Sequence, residues 1–319
     1  MSHFKTLLQT RLCDLPIPPL ENHHWIQEHI SKLYKELDRK GISWRPHIWV
    51  SDEWFCPDGV PGFALPFYLL DERLKRLERL KGFEVEGHSS RSFMRLLRHE
   101  TGHAIDNAYK LRRCSLRREL FGPSEKPYPK SYEPVLYSRK YVNYLGDGYA
   151  QSHPDEDFAE TFAVWLDPQS QWRRKYRSWP VYKKLIYMDK LLKSLKEPAL
   201  KNTKKVEPLS QKKITLAQYY QKKRYYYRQR FLIQKQFRQS CLRQKNTASS
   251  IMTVQKILRD KVSEQIGVPK YKIAPIIKEM MEVIRQDELG PPQINRGFLH
   301  LVTLQVREHL NCGRHRILL

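Results

Sequence analysis

The chain has 319 residues, 40% of them hydrophobic, with a net charge of +24 and a mean hydropathy of −0.68. That is enough chain for one large domain or two ordinary ones with a full core. Nothing in it approaches a membrane span, and the N-terminal apolar run is too short for a signal peptide. The five cysteines, Cys13, Cys56, Cys114, Cys241 and Cys312, are odd in number and scattered, with no C-x-x-C pair. They exclude a disulfide framework and predict reduced thiols in a soluble, cytoplasmic protein.

The charge is unevenly placed. Residues 199–319 hold 25 Lys and Arg against 8 Asp and Glu, whereas residues 1–198 hold 33 against 26. A division near Glu197-Pro198 is therefore expected, with a domain of ordinary charge over 1–198 and a basic helical domain over 199–319.

In chain order, residues 25–40 read as an amphipathic helix ending at Gly41, and residues 42–50 as a strand. The turn residues of Cys56-Pro-Asp-Gly-Val-Pro-Gly follow. Residues 63–70 then form a short extended run, which Pro66 demotes to an edge strand. Such an edge can pair with an extended peptide or simply be blunted by its proline against aggregation. Residues 70–80 read as a charged helix.

Residues 90–109 form the central stretch. They contain His99-Glu100-Thr101-Gly102-His103, the H-E-x-x-H zinc-protease pattern. An apolar stripe through Phe93, Met94, Leu96, Leu97, Ala104, Ile105 and Ala108 places the pattern on a buried helix, with Ser89 or Ser90 as N-cap. Residues four apart share a helix face, so His99 and His103 can meet one metal while Glu100 stands beside them as a proton acceptor. Gly102 costs the helix about 1 kcal/mol relative to alanine. That implies a close approach there, either of a packed helix or of a ligand.

A catalytic zinc site needs a third protein ligand. The pattern that would take it from the same helix requires His at 109 and Gly at 106, where this chain has Tyr109 and Asp106. Asp106 is expected to orient a ligand instead. Residues 112–142, basic and rich in Pro and Tyr, read as a long loop beside the cleft. The third ligand is sought in the helix that opens at His153-Pro154, where Glu156 and Glu160 share one face. Two carboxylates on the buried side of an aromatic-rich helix need partners. Asp155 and Asp157 are expected to be first-turn acids facing water.

With these segments in place, the chain resembles the gluzincins, in which H-E-x-x-H is followed on a second helix by a Glu ligand and an acidic residue four positions on. It is similar in particular to uncharacterised bacterial zinc metallopeptidases and to the catalytic domain of anthrax lethal factor, through its H-E-x-G-H and E-x-F-A-E segments. The resemblance implies Glu156 as ligand and Glu160 as the residue holding a zinc histidine. It also implies that Tyr149, seven residues before Glu156, faces the metal and hydrogen-bonds the oxyanion; simple packing of that tyrosine is the other reading. One Zn2+ held by His99, His103 and Glu156 would activate a water that Glu100 deprotonates.

Beyond the site, residues 172–195 read as one or two helices. After a polar linker, residues 214–244 interleave Tyr219, Tyr220 and Tyr226 with Lys222, Lys223, Arg224 and Arg228. That pattern suits nucleic-acid contact or a packed helix with a basic back. Residues 251–266, 273–285 and 298–310 read as further helices. The expectation is an α+β, zincin-like domain, mostly helical with a small sheet bearing an edge strand, followed by an all-helical basic domain. The expected activity is that of a zinc endopeptidase acting on a peptide or protein substrate. The alternatives are a protein that binds nucleic acid or another polyanion through residues 201–245 around a structural or inactive zinc, and a protease recruited to nucleic acid by its basic domain.

Overall fold

The computed structural model describes residues 2–226 apart from positions 84, 129–134, 136, 137, 147, 196 and 202. It also describes residues 248–270 and scattered positions from 273 to 306. The chain divides into two compact units, Met1–Ala217 and Gln218–Leu319. The first is mostly helical, with a two-stranded parallel sheet.

Its elements are α1 (Ser2–Gln9), α2 (His24–Arg39), β1 (His47–Ser51), β2 (Gly62–Pro66), α3 (Glu72–Leu80), α4 (Ser90–Ala108), α5 (Ser115–Phe121), α6 (Pro154–Leu166), α7 (Trp172–Lys175) and α8 (Tyr182–Lys193). The central helix starts where Ser89 and Ser92 form a reciprocal capping box, which satisfies backbone donors that the first turn leaves open. Helix α6 starts at His153, whose Nδ1 accepts from the Asp155 backbone N–H, with Pro154 at the first helical position.

β1 and β2 pair in register from His47–Gly62 to Ser51–Pro66. A side chain at Gly62 would meet the His47 carbonyl at 2.2 Å, so the register itself demands glycine. β2, expected as an edge strand either pairing with a peptide or blunted by Pro66, is buried at all five residues. Its Ala64 N–H donates to the Phe55 carbonyl at 2.8 Å on the side away from β1. The run that was expected to stay extended to residue 70 turns at Pro66 into a 3-10 helix, Phe67–Leu70.

Residues 112–142 are not all loop. α5 occupies Ser115–Phe121, where Arg117 and Phe121 are buried. Residues 199–217 lie along the first unit: Trp49 Nε1 donates to the Val206 carbonyl at 3.0 Å, and Leu12 N–H donates to the Ile214 carbonyl at 2.9 Å.

α9 (Leu216–Tyr226) and α10 (Ala248–Ile266) follow. In the second unit Leu258, Val262, Ile273, Ile277, Phe298 and Val302 belong to one buried apolar cluster. Most of the expected basic helix over 214–244, and parts of those over 273–285 and 298–310, lie outside the described residues. Among the described residues, no helix is long and apolar enough to cross a membrane.

Candidate metal centre

The most extensive helix–helix contact in the first unit is between α4 and α6, and glycine permits it. A Cβ on Gly102 would lie 2.8 Å from Ala159 Cα and 3.2 Å from Phe162 Cβ. The close approach anticipated at Gly102 is therefore helix packing, with small Ala159 opposite. Phe158, Phe162 and Trp165 on α6 and Phe93 and Leu97 on α4 are fully buried.

This approach brings three donor atoms together. His99 Nε2 lies 3.1 Å from Glu156 Oε2, His103 Nε2 lies 3.3 Å from the same oxygen, and the two ring nitrogens are 3.2 Å apart. All three residues are buried, and together they form a group that could hold a metal ion. Ligands bound at about 2.0–2.1 Å around a tetrahedral Zn2+ stand about 3.3 Å from one another, so two imidazoles and a carboxylate at these separations fit zinc in both chemistry and spacing. With both imidazoles neutral and their Nε2 atoms unprotonated, three lone pairs converge on one point, which a cation would satisfy.

The electrostatics follow from burial among opposite charges. Desolvation works to lower the His99 pKa, but hydrogen bonds with Glu156 and Glu160 outweigh it and raise the value to about 9. Desolvation would raise Glu156, yet the charges and hydrogen bonds of His103 and His99 hold it well below the usual carboxylate range. The His99 Nδ1–H donates to Glu160 Oε1 at 3.1 Å. The other oxygen of Glu160 accepts from the backbone N–H groups of Tyr144, at 3.1 Å, and Leu145, at 2.9 Å. Glu160 thereby fixes the ring that presents Nε2.

Residues 78–177 match the family described as "Putative zinc-binding metallo-peptidase". The match spans 100 of 319 residues and takes in α4 and α6, the two helices that meet at the centre. It supports a zinc metallopeptidase family for this part of the chain. No curated protein and no solved structure matches the chain.

Around this centre the remaining expected residues are placed as follows. Glu100 is buried on α4, and its charge acts on both His99 and the half-buried Cys56 thiol. Tyr149 opens a 3-10 turn after left-handed Gly148, and its ring lies 5.7 Å from that of His99. Asp106 differs from expectation. Its Oδ2 accepts from Arg117 Nη2 at 2.9 Å and lies 3.6 Å from Arg112 Nε, so its contacts are with arginines and not with a histidine. Burial raises its pKa against those two cations.

Asp155 and Asp157, expected to face water, are both buried. Arg117 and Ser124 each donate to Asp155 Oδ1 at 2.6 Å. Burial pushes Asp155 up, but Ser124 and the two arginines more than offset it, and the net shift is downward. Asp157 pairs with Lys184 of α8, yet burial still lifts it to about 7.

One residue escaped sequence reasoning. The Tyr128 OH donates to Glu156 Oε1 at 3.1 Å, and its ring stacks on the His153 N-cap at 3.8 Å. With Oε1 engaged, Glu156 presents Oε2 alone to the histidines. Tyr128 sits in a segment without periodicity, and only its tyrosine-rich composition marked that segment.

Proposed function

We propose that the protein is a zinc-dependent endopeptidase of the gluzincin type, with His99, His103 and Glu156 as the ligands of one zinc ion. The convergence of those three donor atoms from two helices carries this reading, and the metallo-peptidase match over the same helices supports it. When bound, zinc supplies a Lewis acid that polarises a carbonyl and makes water acidic near neutral pH.

The chain's own residues do the rest. Glu100 takes the proton of the attacking water and returns it to the leaving amine. Glu160 keeps His99 in the tautomer that leaves Nε2 bare, and Tyr128 keeps Glu156 presenting a single oxygen. Tyr149, against the His99 ring, donates to the oxyanion of the tetrahedral intermediate. The Gly102–Ala159 contact holds the two helices at the spacing all of this requires. A cytoplasmic location belongs to the same reading and rests on the scattered, unpaired spacing of the cysteines.

The test is Glu100→Gln assayed on a peptide library with zinc content measured in parallel. Hydrolysis should fall about 10²- to 10⁴-fold, the usual share of general acid–base catalysis, with zinc retained. Equal hydrolysis by the variant and the wild type, both loaded with zinc, would refute the assignment.

A further inference from the structure

Away from the metal centre, a cleft of about 750 Å³ opens between α2, the N-terminal half of α4 and the segment that follows α6. Seven Lys and Arg side chains line it against two acids, Glu36 and Asp167. Both acids are already engaged by buried Arg98, whose guanidinium reaches Glu36 with two contacts of 2.7 Å and Asp167 at 3.1 Å. Lys32 pairs with Glu28 at 2.7 Å.

The cleft therefore keeps a surplus of positive charge. Lys35 and Arg39 stand four apart on α2, facing Arg91 and Arg95 four apart on α4, and α2 packs against α4. Lys35, Arg39 and Arg91 are exposed and have no ion pair among the described residues. Arg95 lies over the Tyr144 ring at 5.3 Å, and Lys175 lies over Tyr176 at 5.1 Å, both at the cleft wall. Like charges at helical spacing repel weakly, and an anion in the hollow would relieve that repulsion. The positive end of the α4 dipole adds to the field, since Ser90 in its first turn lines the cleft.

We propose that this cleft binds a small polyphosphorylated anion, with adjoining phosphate groups held between the α2 and α4 cations. Its volume falls in the range of about 300–1,000 Å³ usual for small-molecule sites, and guanidinium forks match phosphate oxygens in pairs. Nucleoside triphosphates, inositol polyphosphates and inorganic polyphosphate share this chemistry. The site is independent of the peptidase reading. It is linked to the metal centre through Tyr144, whose backbone N–H holds Glu160, and through Arg98, which precedes His99 on α4, so the test leaves Tyr144 and Arg98 untouched.

The full-length protein is titrated calorimetrically with inorganic triphosphate, ATP and inositol hexakisphosphate, with orthophosphate as the single-phosphate control. Saturable one-to-one binding is expected for at least one of the three, with orthophosphate about 100-fold weaker, and the tightest of them identifies the source. Lys35→Glu with Arg91→Glu should weaken it about 30-fold or more. Lys222→Glu with Arg224→Glu, in the second unit, should change it by less than about twofold. Because chelation of zinc by these probes is common to all variants, the comparison between variants isolates the cleft. If the double reversal misfolds, Lys35→Gln with Arg91→Gln should still weaken binding about tenfold. The proposal is overturned by absence of saturable binding, by equal loss in the second-unit variant, or by binding of a single-stranded oligonucleotide but none of the three polyphosphates.

Discussion

Replacing Gly102 with alanine tests whether helix spacing sets the metal centre. The added Cβ would stand 2.8 Å from Ala159 Cα, at least 0.6 Å inside the 3.4 Å at which ordinary contact begins, and the obstacle is backbone that cannot rotate aside. Helix α6 must retreat by about that amount. Overpacking of this kind costs about 1–3 kcal/mol, while alanine returns about 1 kcal/mol of helix propensity. The net is a loss of about 0–2 kcal/mol in stability. The effect on the metal should be larger in proportion, because Glu156 rides on α6. Its Oε2, now 3.1 and 3.3 Å from the two ring nitrogens, is drawn back from a coordination shell that tolerates only about 0.2 Å. Urea unfolding should show the modest loss, and competition with a chromophoric chelator should show zinc affinity about 10- to 100-fold weaker, comparable to the loss of a ligand's support. A Gly102→Ala protein as stable as the wild type, with the same zinc affinity, would refute the reasoning.

Glu160→Gln must turn an amide NH2 toward either the His99 Nδ1–H or the two N–H groups of Tyr144 and Leu145. Zinc affinity should drop about 10- to 100-fold; an unchanged value would remove Glu160 from its positioning role. Arg117→Met leaves Asp106 and Asp155 buried without the closer of the two arginines they share, the other being Arg112. It should cost about 3–5 kcal/mol in denaturant unfolding, and a loss under about 1 kcal/mol would show that Arg112 suffices. In the metal-free protein His99 is raised to about 9, so zinc must displace a proton from it at neutral pH. Apparent zinc affinity should therefore rise about tenfold per pH unit between pH 7 and 9 and level off above that. A flat profile across that window would contradict the proton assignment.

How far the sequence reveals this centre depends on how local each determinant is. The stripe on α4 and the proline start of α6 are short-range patterns, so the helices carrying His99, His103, Glu156 and Glu160 are legible without coordinates. Asp155 and Asp157 are not. First-turn acids usually face water, and their burial here depends on Arg117, 38 positions from Asp155, and Lys184, 27 positions from Asp157. Asp106 is drawn from the expected ligand side by that same Arg117, on a helix inside a segment with too little periodicity to reveal it. Tyr128 reaches Glu156 from a non-periodic loop. The two strands of the small sheet were legible, but the burial of β2 was not. Pro66 marked an edge strand, whereas burial of β2 depends on Phe55 and on the chain around Val206 packing near Trp49.

A metal held jointly by α4 and α6 is tested most directly by the zinc content of dialysed wild type beside Glu156→Ala and Glu100→Gln. Near one zinc per chain is expected in the wild type and in Glu100→Gln, with little in Glu156→Ala. Zinc retained at the wild-type level in Glu156→Ala would contradict it.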